Sequence, residues 1–313
     1  MRIAGTSYTD SMVNQLNSLA ASQYDLQNQI STGQRVRMPG DDPAAMAQGL
    51  SLQSQSSALS QFSQNISTLQ TRATQSYNAL QSIKSISDRA GEIATLADGT
   101  KTPAELQAYA SEVNQLIQQA VQAANSKDGN HYLFAGTQDD SAPFTTTTDA
   151  DGNITAVSYQ GNTDVAEAEI GQDTTTTVDV PGANDTGSGP RGLLTDSRFG
   201  ADLFNHLLSL ESHLRAGDTN AIATVDHPAL TKDEDNIIYQ VANNGVTQAR
   251  LDSAATSTSA QLSSLQQALT NLSGADVTQS IVQLTQTQST YQAALQSSSV
   301  LLQMQQVLLT HLG

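Results

Sequence analysis

The last 37 residues, Val277 to Gly313, contain no Asp, Glu, Lys or Arg. They do not read as a membrane span, because Gln, Ser and Thr are spread throughout. Their apolar residues instead share a stripe: Ile281, Leu284, Tyr291, Leu295, Leu302, Leu309 and Leu312, together with Gln288, Ser298 and Gln305, are spaced alternately three and four apart. This is a heptad seam. It predicts an amphipathic helix of roughly 50 Å at 1.5 Å per residue, and such a helix needs a partner.

A second stripe near the N-terminus supplies one: Met12, Leu16, Leu19, Gln23, Leu26 and Ile30 repeat the same spacing. Polar residues at seam positions weaken a coiled coil while fixing its register. The two terminal helices are therefore expected to be marginal alone, disordered in the free monomer and ordered on association. Met12, Leu16, Leu19, Leu26, Ile30, Ile281, Leu284, Tyr291, Leu295, Leu302, Leu309 and Leu312 are the candidate assembly interface.

Gly33 ends the first helix as a C-cap. In the loop that follows, Gln34 to Pro43, two prolines forbid helix, and Asp41 or Asp42 caps the next helix with Pro43 near its first position. Arg35, Arg37, Asp41 and Asp42 are candidates for contact with a neighbouring subunit. A long seam then runs from Leu59 through Phe62, Ile66, Leu69, Leu80 and Ile83 to about Asp98. Thr102-Pro103-Ala104-Glu105 reads as a capping box with Pro at its first helical position. It opens a helix whose face is Leu106, Tyr109, Val113, Leu116, Ala120 and Ala123, ending near Asp128-Gly129.

Residues 131–197 differ in texture. His131 to Phe134, Ile154 to Tyr159, Val165 to Ile170 and Thr174 to Val180 are short β-prone runs bounded by Gly, Asn, Asp and Pro. Twelve acidic residues and one basic residue, Arg191, lie between Asp128 and Ser197, so this insert is expected to face solvent. Helical pattern returns with Leu203, Leu207, Leu210 and Leu214 up to Gly217. Another seam runs from Val241 to Leu272, Gly274 breaks it, and Asp276 caps the charge-free helix. Asp233-Glu-Asp235 reads as a helix N-terminus complementing the macrodipole.

The order is symmetric about the insert, and an antiparallel return sets the C-terminal helix beside the N-terminal one and residues 241–272 beside 59–97. The predicted fold class is mainly α with an inserted β domain, a long antiparallel helical bundle or coiled coil built from both chain halves. The expected domains are terminal assembly segments 1–42 with 276–313, a helical bundle of 43–130 with 198–275, and an acidic β-rich outer domain, 131–197.

Only 37% of the 313 residues are hydrophobic, 4% are aromatic and none is Trp, which suits long helices in thin bundles. A net charge of −17 argues against nucleic acid, whose phosphates need clustered Lys and Arg, and leaves no basic face for a membrane surface. No Cys is present, which excludes disulfides and thiolate chemistry. The N-terminus lacks an apolar region of the secretory type, so export is expected to need another route. His206 and His213 lie seven apart on one helix face, whereas helical metal ligands sit three or four apart. Asp149-Ala-Asp-Gly-Asn153 lacks the closing Glu of a calcium loop and reads as a hairpin turn. With no phosphate-binding Gly loop and no nucleophile context, the chain reads as a non-enzyme without cofactor or metal.

Several stretches resemble the bacterial flagellin and flagellar hook-filament junction family. They are Ile30-Ser-Thr-Gly-Gln-Arg-Val with Pro39-Gly-Asp-Asp-Pro-Ala-Ala45, Tyr132-Leu-Phe-Ala-Gly-Thr137 with Pro143-Phe144, Tyr159-Gln-Gly161 ahead of Val180-Pro-Gly182, Leu203-Phe204 through Leu214-Arg-Ala-Gly-Asp218, and Ala275-Asp276 with Ala293-Ala294. The two prolines and Asp-Asp-Pro are closer to the junction branch than to flagellin. The resemblance implies a ring of subunits whose paired terminal helices line a tube, with hook-associated protein 1 on the hook side, flagellin on the filament side and an export chaperone in the cytoplasm. It also implies an extracellular place in the flagellum, reached through the flagellar type III apparatus. A short flagellin and a secreted coiled-coil binding protein are the alternative readings.

Overall fold

The computed structural model describes residues 2–311, with side chains from Asp10 to Met304 and at Val307. Helices α1 (Arg2–Thr32), α2 (Pro43–Leu96) and α3 (Pro103–Ala124) precede short strands β1 (Lys127–Asp128), β2 (His131–Tyr132), β3 (Phe144–Thr148), β4 (Ile154–Tyr159), β5 (Ala168–Gly171), β6 (Thr174–Thr176), β7 (Ala183–Asn184), β8 (Thr195–Asp196) and β9 (Ala201–Asp202). Then come α4 (Leu203–Ala216), α5 (Thr219–Ala221), a π-helical turn (Ile222–Asp226), α6 (His227–Ser273) and α7 (Val277–His311). The chain is mainly α with inserted β structure. It divides into two compact units, Met1–Ala58 with Gln261–Gly313, and Leu59–Ala260.

In the first unit α1 packs along α7. Gly33 pairs with Ala275 (Ala275 N–H to Gly33 O, 2.9 Å), while Gln23 Nε2 donates to the Thr287 carbonyl at 3.4 Å, so the helices run antiparallel. Local signals set the helix ends. Gly33 takes φ +68° and donates to Gln29 O at 2.8 Å, a left-handed position that disfavours a Cβ. Asp42 accepts from Ala45 N–H at 3.0 Å, ahead of Pro43. Asp276 accepts from Gln279 N–H at 3.0 Å to open α7. At Gly274 a Cβ would sit 2.4 Å from the Thr270 carbonyl oxygen, which is why Gly stands at this break.

The second unit holds most of the buried apolar side chains. Ile83, Ile93, Ile117, Leu207, Leu210 and Leu214 are fully buried in one core shared by helices α2, α3, α4 and α6. A smaller core joins Ile66, Leu69 and Ala73 on α2 to Leu251 on α6, closed by Ile170 and Val178. Asn244 Nδ2 donates to the Ala73 carbonyl at 3.1 Å. Within this unit α6 returns antiparallel along α2, with Asp252 accepting from Gln70. Lys84, Asp88 and Gly91, however, face His227, Leu230 and Glu234, so the C-terminal part of α2 lies beside residues before 241 and the expected pairing of 59–97 with 241–272 is shifted along the helices. Thr102 and Glu105 form the capping box at the start of α3.

The strands make three separate antiparallel hairpins, β1–β2, β3–β4 and β5–β6, and a small sheet in which β7 runs parallel to β8 and β8 antiparallel to β9. Strand Phe144–Thr148 is anchored at its start by Phe144, which packs on Tyr159 and Phe204 (ring centres 5.1 and 5.3 Å). One further expectation needs correcting. Asp233 is not at a helix N-terminus. Helix α6 starts six residues earlier, at His227, and Asp233 is buried, its carboxylate accepting from Asp202 N–H (2.7 Å) and facing His206 Nδ1 (2.7 Å).

Candidate assembly interface

The face that α1 presents to α7 keeps strict heptad spacing. Met12, Leu16, Leu19, Gln23 and Ile30 are half-buried and Leu26 is buried. The answering face of α7 is Ser280, Leu284, Thr287, Tyr291, Ala294, Ser298 and Leu301, each buried or half-buried. Compared with the stripe read from sequence, the intrachain seam is displaced by one residue on one side. It keeps Leu284, Tyr291 and Ser298 but uses Ser280, Thr287 and Ala294 in place of Ile281, Gln288 and Leu295. Small side chains let the backbones approach closely, and the larger apolar ones are turned outward.

The consequence is a second line on α7, repeating every seven residues, that α1 does not cover. Ile281 is 49% exposed, Leu295 44% and Leu302 56%. Val282, Val300, Met304 and Val307 are also exposed. Leu309 lies on the same line, but its side chain, and all of Leu312, lie outside the described residues. A single heptad seam does not account for these additional exposed residues, because α7 carries more than two apolar lines. The signal was available: from Val300 to Val307 apolar residues occupy adjacent positions, more than one seam needs.

The loop candidates are engaged within the chain. Arg35 N–H donates to Ser273 O at 2.7 Å, its Nη2 to Leu272 O at 3.2 Å and its Nη1 to Asp42 at 3.2 Å. Asp41 accepts from the backbone N–H of Arg37 and Met38, both at 2.9 Å, and these bonds hold its carboxyl below the usual range. Asp42 is held low by the Ala45 N–H first and then by Arg35. Arg37 reaches Asp25 only at 3.9 Å. Arg35 therefore ties the loop to residues 272–273, while Asp41 and Asp42 fix its shape from within.

Among the described residues, three His–Asp contacts are the other polar clusters worth testing for chemistry: His206 with Asp233, His213 with Asp226 and, on the surface, His131 with Asp139 at 3.1 Å. His213 Nδ1 lies 2.7 Å from Asp226, whose second oxygen accepts from Ser209 Oγ at 2.6 Å. The hydroxyl donates to the carboxylate and not to the imidazole, so the set lacks the base contact that activates a nucleophile. The Asp149 turn joins β3 to β4, its carboxylate accepting from Asp151 N–H, Asn153 N–H and Asn153 Nδ2. Among the described residues no helix is long and apolar enough to cross a membrane.

Comparison with known proteins gives a consistent answer. The bacterial flagellin N-terminal helical region matches residues 6–139. The flagellar hook-associated protein 3 of Salmonella typhimurium is 30% identical over 150 residues, 46% of each chain, and that of Escherichia coli 33% identical over 122 residues, 37% of each. These matches thus span less than half the length of either curated relative. Among solved structures, a putative flagellar hook-associated protein from Vibrio parahaemolyticus shares the fold at TM-score 0.63 with 20% identity, covering 75% of this chain and 100% of that one. Bacillus cereus FlgL does so at 0.56 with 20% identity, covering 70% and 99%. A flagellin-type N-terminal helical region at residues 6–139, together with the partial matches to the two curated relatives, makes this chain similar to flagellar hook-associated protein 3.

Proposed function

We propose that this chain is a structural subunit of the bacterial flagellum that joins hook to filament by coupled folding and assembly of its terminal helices. The observation that carries the reading is the apolar line Ile281, Leu295 and Leu302 left exposed on α7 after α1 has packed. Burying one such side chain is worth roughly 1.5–3 kcal/mol, so a few of them stabilise a subunit contact appreciably. The seam to α1 supports the same reading, because Gln23, Ser280, Thr287 and Ser298 make it weak by itself.

In this reading segments 1–42 and 276–313 order fully on assembly, the frame of 43–130 with 198–275 supports them, and 131–197 faces solvent. Subunits form a ring, with hook-associated protein 1 on one side and flagellin on the other. The loop bearing Arg35, Arg37, Asp41 and Asp42, braced from within, meets a neighbour as a rigid surface. Exposed apolar residues on α7 call for a cytoplasmic chaperone before export through the flagellar type III apparatus. No step requires catalysis.

Deletion followed by electron microscopy tests the proposal. An intact hook, with filament protein shed into the medium, is the expected result. Normal filaments on normal hooks would overturn it, and hooks followed by ordered rings without filament would point to a flagellin instead.

A further inference from the structure

Arg191 is the sole Lys or Arg between Asp128 and Ser197, and it stands in the company of two aromatic rings. Its guanidinium carbon lies 3.6 Å from the centre of the Phe199 ring and 4.3 Å from that of Tyr239. Both rings are about half exposed, 47% and 46%. Together they line a cavity of about 630 Å³. The other charges there are committed: Arg198 binds Asp196 at 2.6 Å and the carbonyls of Gly189 and Pro190, and Asp179 pairs with Arg72 at 2.6 Å.

Arg191 is not. Its Nε donates to Asn236, and its Nη groups have no hydrogen-bond partner among the described residues. Nor does the guanidinium have to hold its own loop, since Asn236 Nδ2 grips the carbonyls of Gly192 and Leu193 and Gln240 Nε2 that of Arg191. A planar fork beside two half-exposed aromatic rings is the residue combination found at the centres of protein interfaces, and a carboxylate is its natural complement.

We propose that this cavity docks a second copy of the chain through the β3–β4 hairpin turn, with the Asp151 carboxylate on the Arg191 guanidinium and Phe199 and Tyr239 as apolar anchors. Asp151 is exposed and its carboxylate has no hydrogen bond among the described residues. Its turn is already stiffened by the three bonds to Asp149, so docking orders little that was not ordered before. The inference rests on the self-assembly reading above.

The test places the photo-crosslinking residue p-benzoylphenylalanine at position 199 in the full chain and irradiates intact flagella. Crosslinks should map to residues 148–154 of a second copy. Arg191→Gln and Asp151→Asn should each lower the yield about tenfold, as loss of one charge-assisted contact requires, and the exchange Arg191→Asp with Asp151→Arg should restore it. Melting curves identify any variant that fails to fold, and Asp151→Asn, on an exposed turn, keeps the test decisive if the Arg191 variants do. A crosslinker-bearing chain that never enters flagella, where the same chain without the crosslinker does, is replaced by one carrying it at Tyr239. A chain that incorporates normally but crosslinks elsewhere, to another protein, or as strongly in both single variants overturns this docking alone. A wild-type chain never found in flagella overturns the assembly reading and this inference with it.

Discussion

At the scale of single residues, the His206–Asp233 contact makes the most definite statement about acidity. Burial draws the imidazole down, but the hydrogen bond and charge of Asp233 outweigh it, so its pKa stands above the ordinary value. Burial pushes the Asp233 carboxyl up, with His206 opposing it. Both shifts favour the proton in the folded state. The His206 contribution to stability is therefore fully present below the ordinary imidazole pKa, roughly 6.5, and is lost as pH rises through the raised folded value. The melting temperature should fall across that window, and His206→Gln should flatten the slope; an unchanged slope would count against the assignment. Asp233→Ala removes two charge-assisted hydrogen bonds and leaves Asp202 N–H unpaired, which should cost about 2–3 kcal/mol in denaturant unfolding. None of this was legible beforehand. The histidines' seven-residue spacing put them on one face, but their acidic partners come from the π-helical turn and from inside α6, and acidic residues in a row look like a helix start until the burial is known.

At the scale of elements, the caps were legible because each is a local chemical rule. Gly33, the Asp42–Pro43 pair, the Thr102–Glu105 box, Gly217 and Asp276 all act within a turn of their own position. The lines of α7 were less legible, since spacing specifies a period and not which neighbour each line meets. Ser280 and Thr287 face α1 because small residues pack closest, and sequence rank by hydrophobicity pointed to Ile281 and Leu295 instead. That difference separates two substitutions. Leu26→Asp puts a charge into the α1–α7 seam at a buried position and should reduce the helicity of the isolated chain. Leu302→Asp, at an exposed position, should leave the circular dichroism and secretion of the monomer largely unchanged while abolishing its incorporation into flagella. Wild-type immunolabelling of filament bases by the Leu302→Asp chain would remove α7 from the interface. On α3, Thr102→Ala should cost about 1 kcal/mol through the lost cap.

At the scale of the whole molecule, the two units differ in what holds them. In the unit formed by Met1–Ala58 with Gln261–Gly313, the buried apolar side chains among the described residues are Leu26, Val36 and Ala45. In Leu59–Ala260 the fully buried side chains include Phe134, Ile66, Leu80, Ile93, Ile117, Leu193 and Leu207, from helices and insert alike. Apolar burial is the dominant favourable term in folding, and local opening free energies follow it. The terminal unit should therefore open at far lower cost than the other. Limited proteolysis of the purified chain should cut first before about Met38 and after about Gly274, then pause at a fragment close to 59–260. Hydrogen exchange should rank the same way, with α1 and α7 amides exchanging well before those of α3 and α4. Assembly reverses the ranking in this reading, because covering Ile281, Leu295 and Leu302 adds to the terminal unit the apolar burial it lacks. The same protease applied to isolated flagella should leave the termini intact, and equal cleavage in both states would mean that the terminal helices are not where the subunits meet.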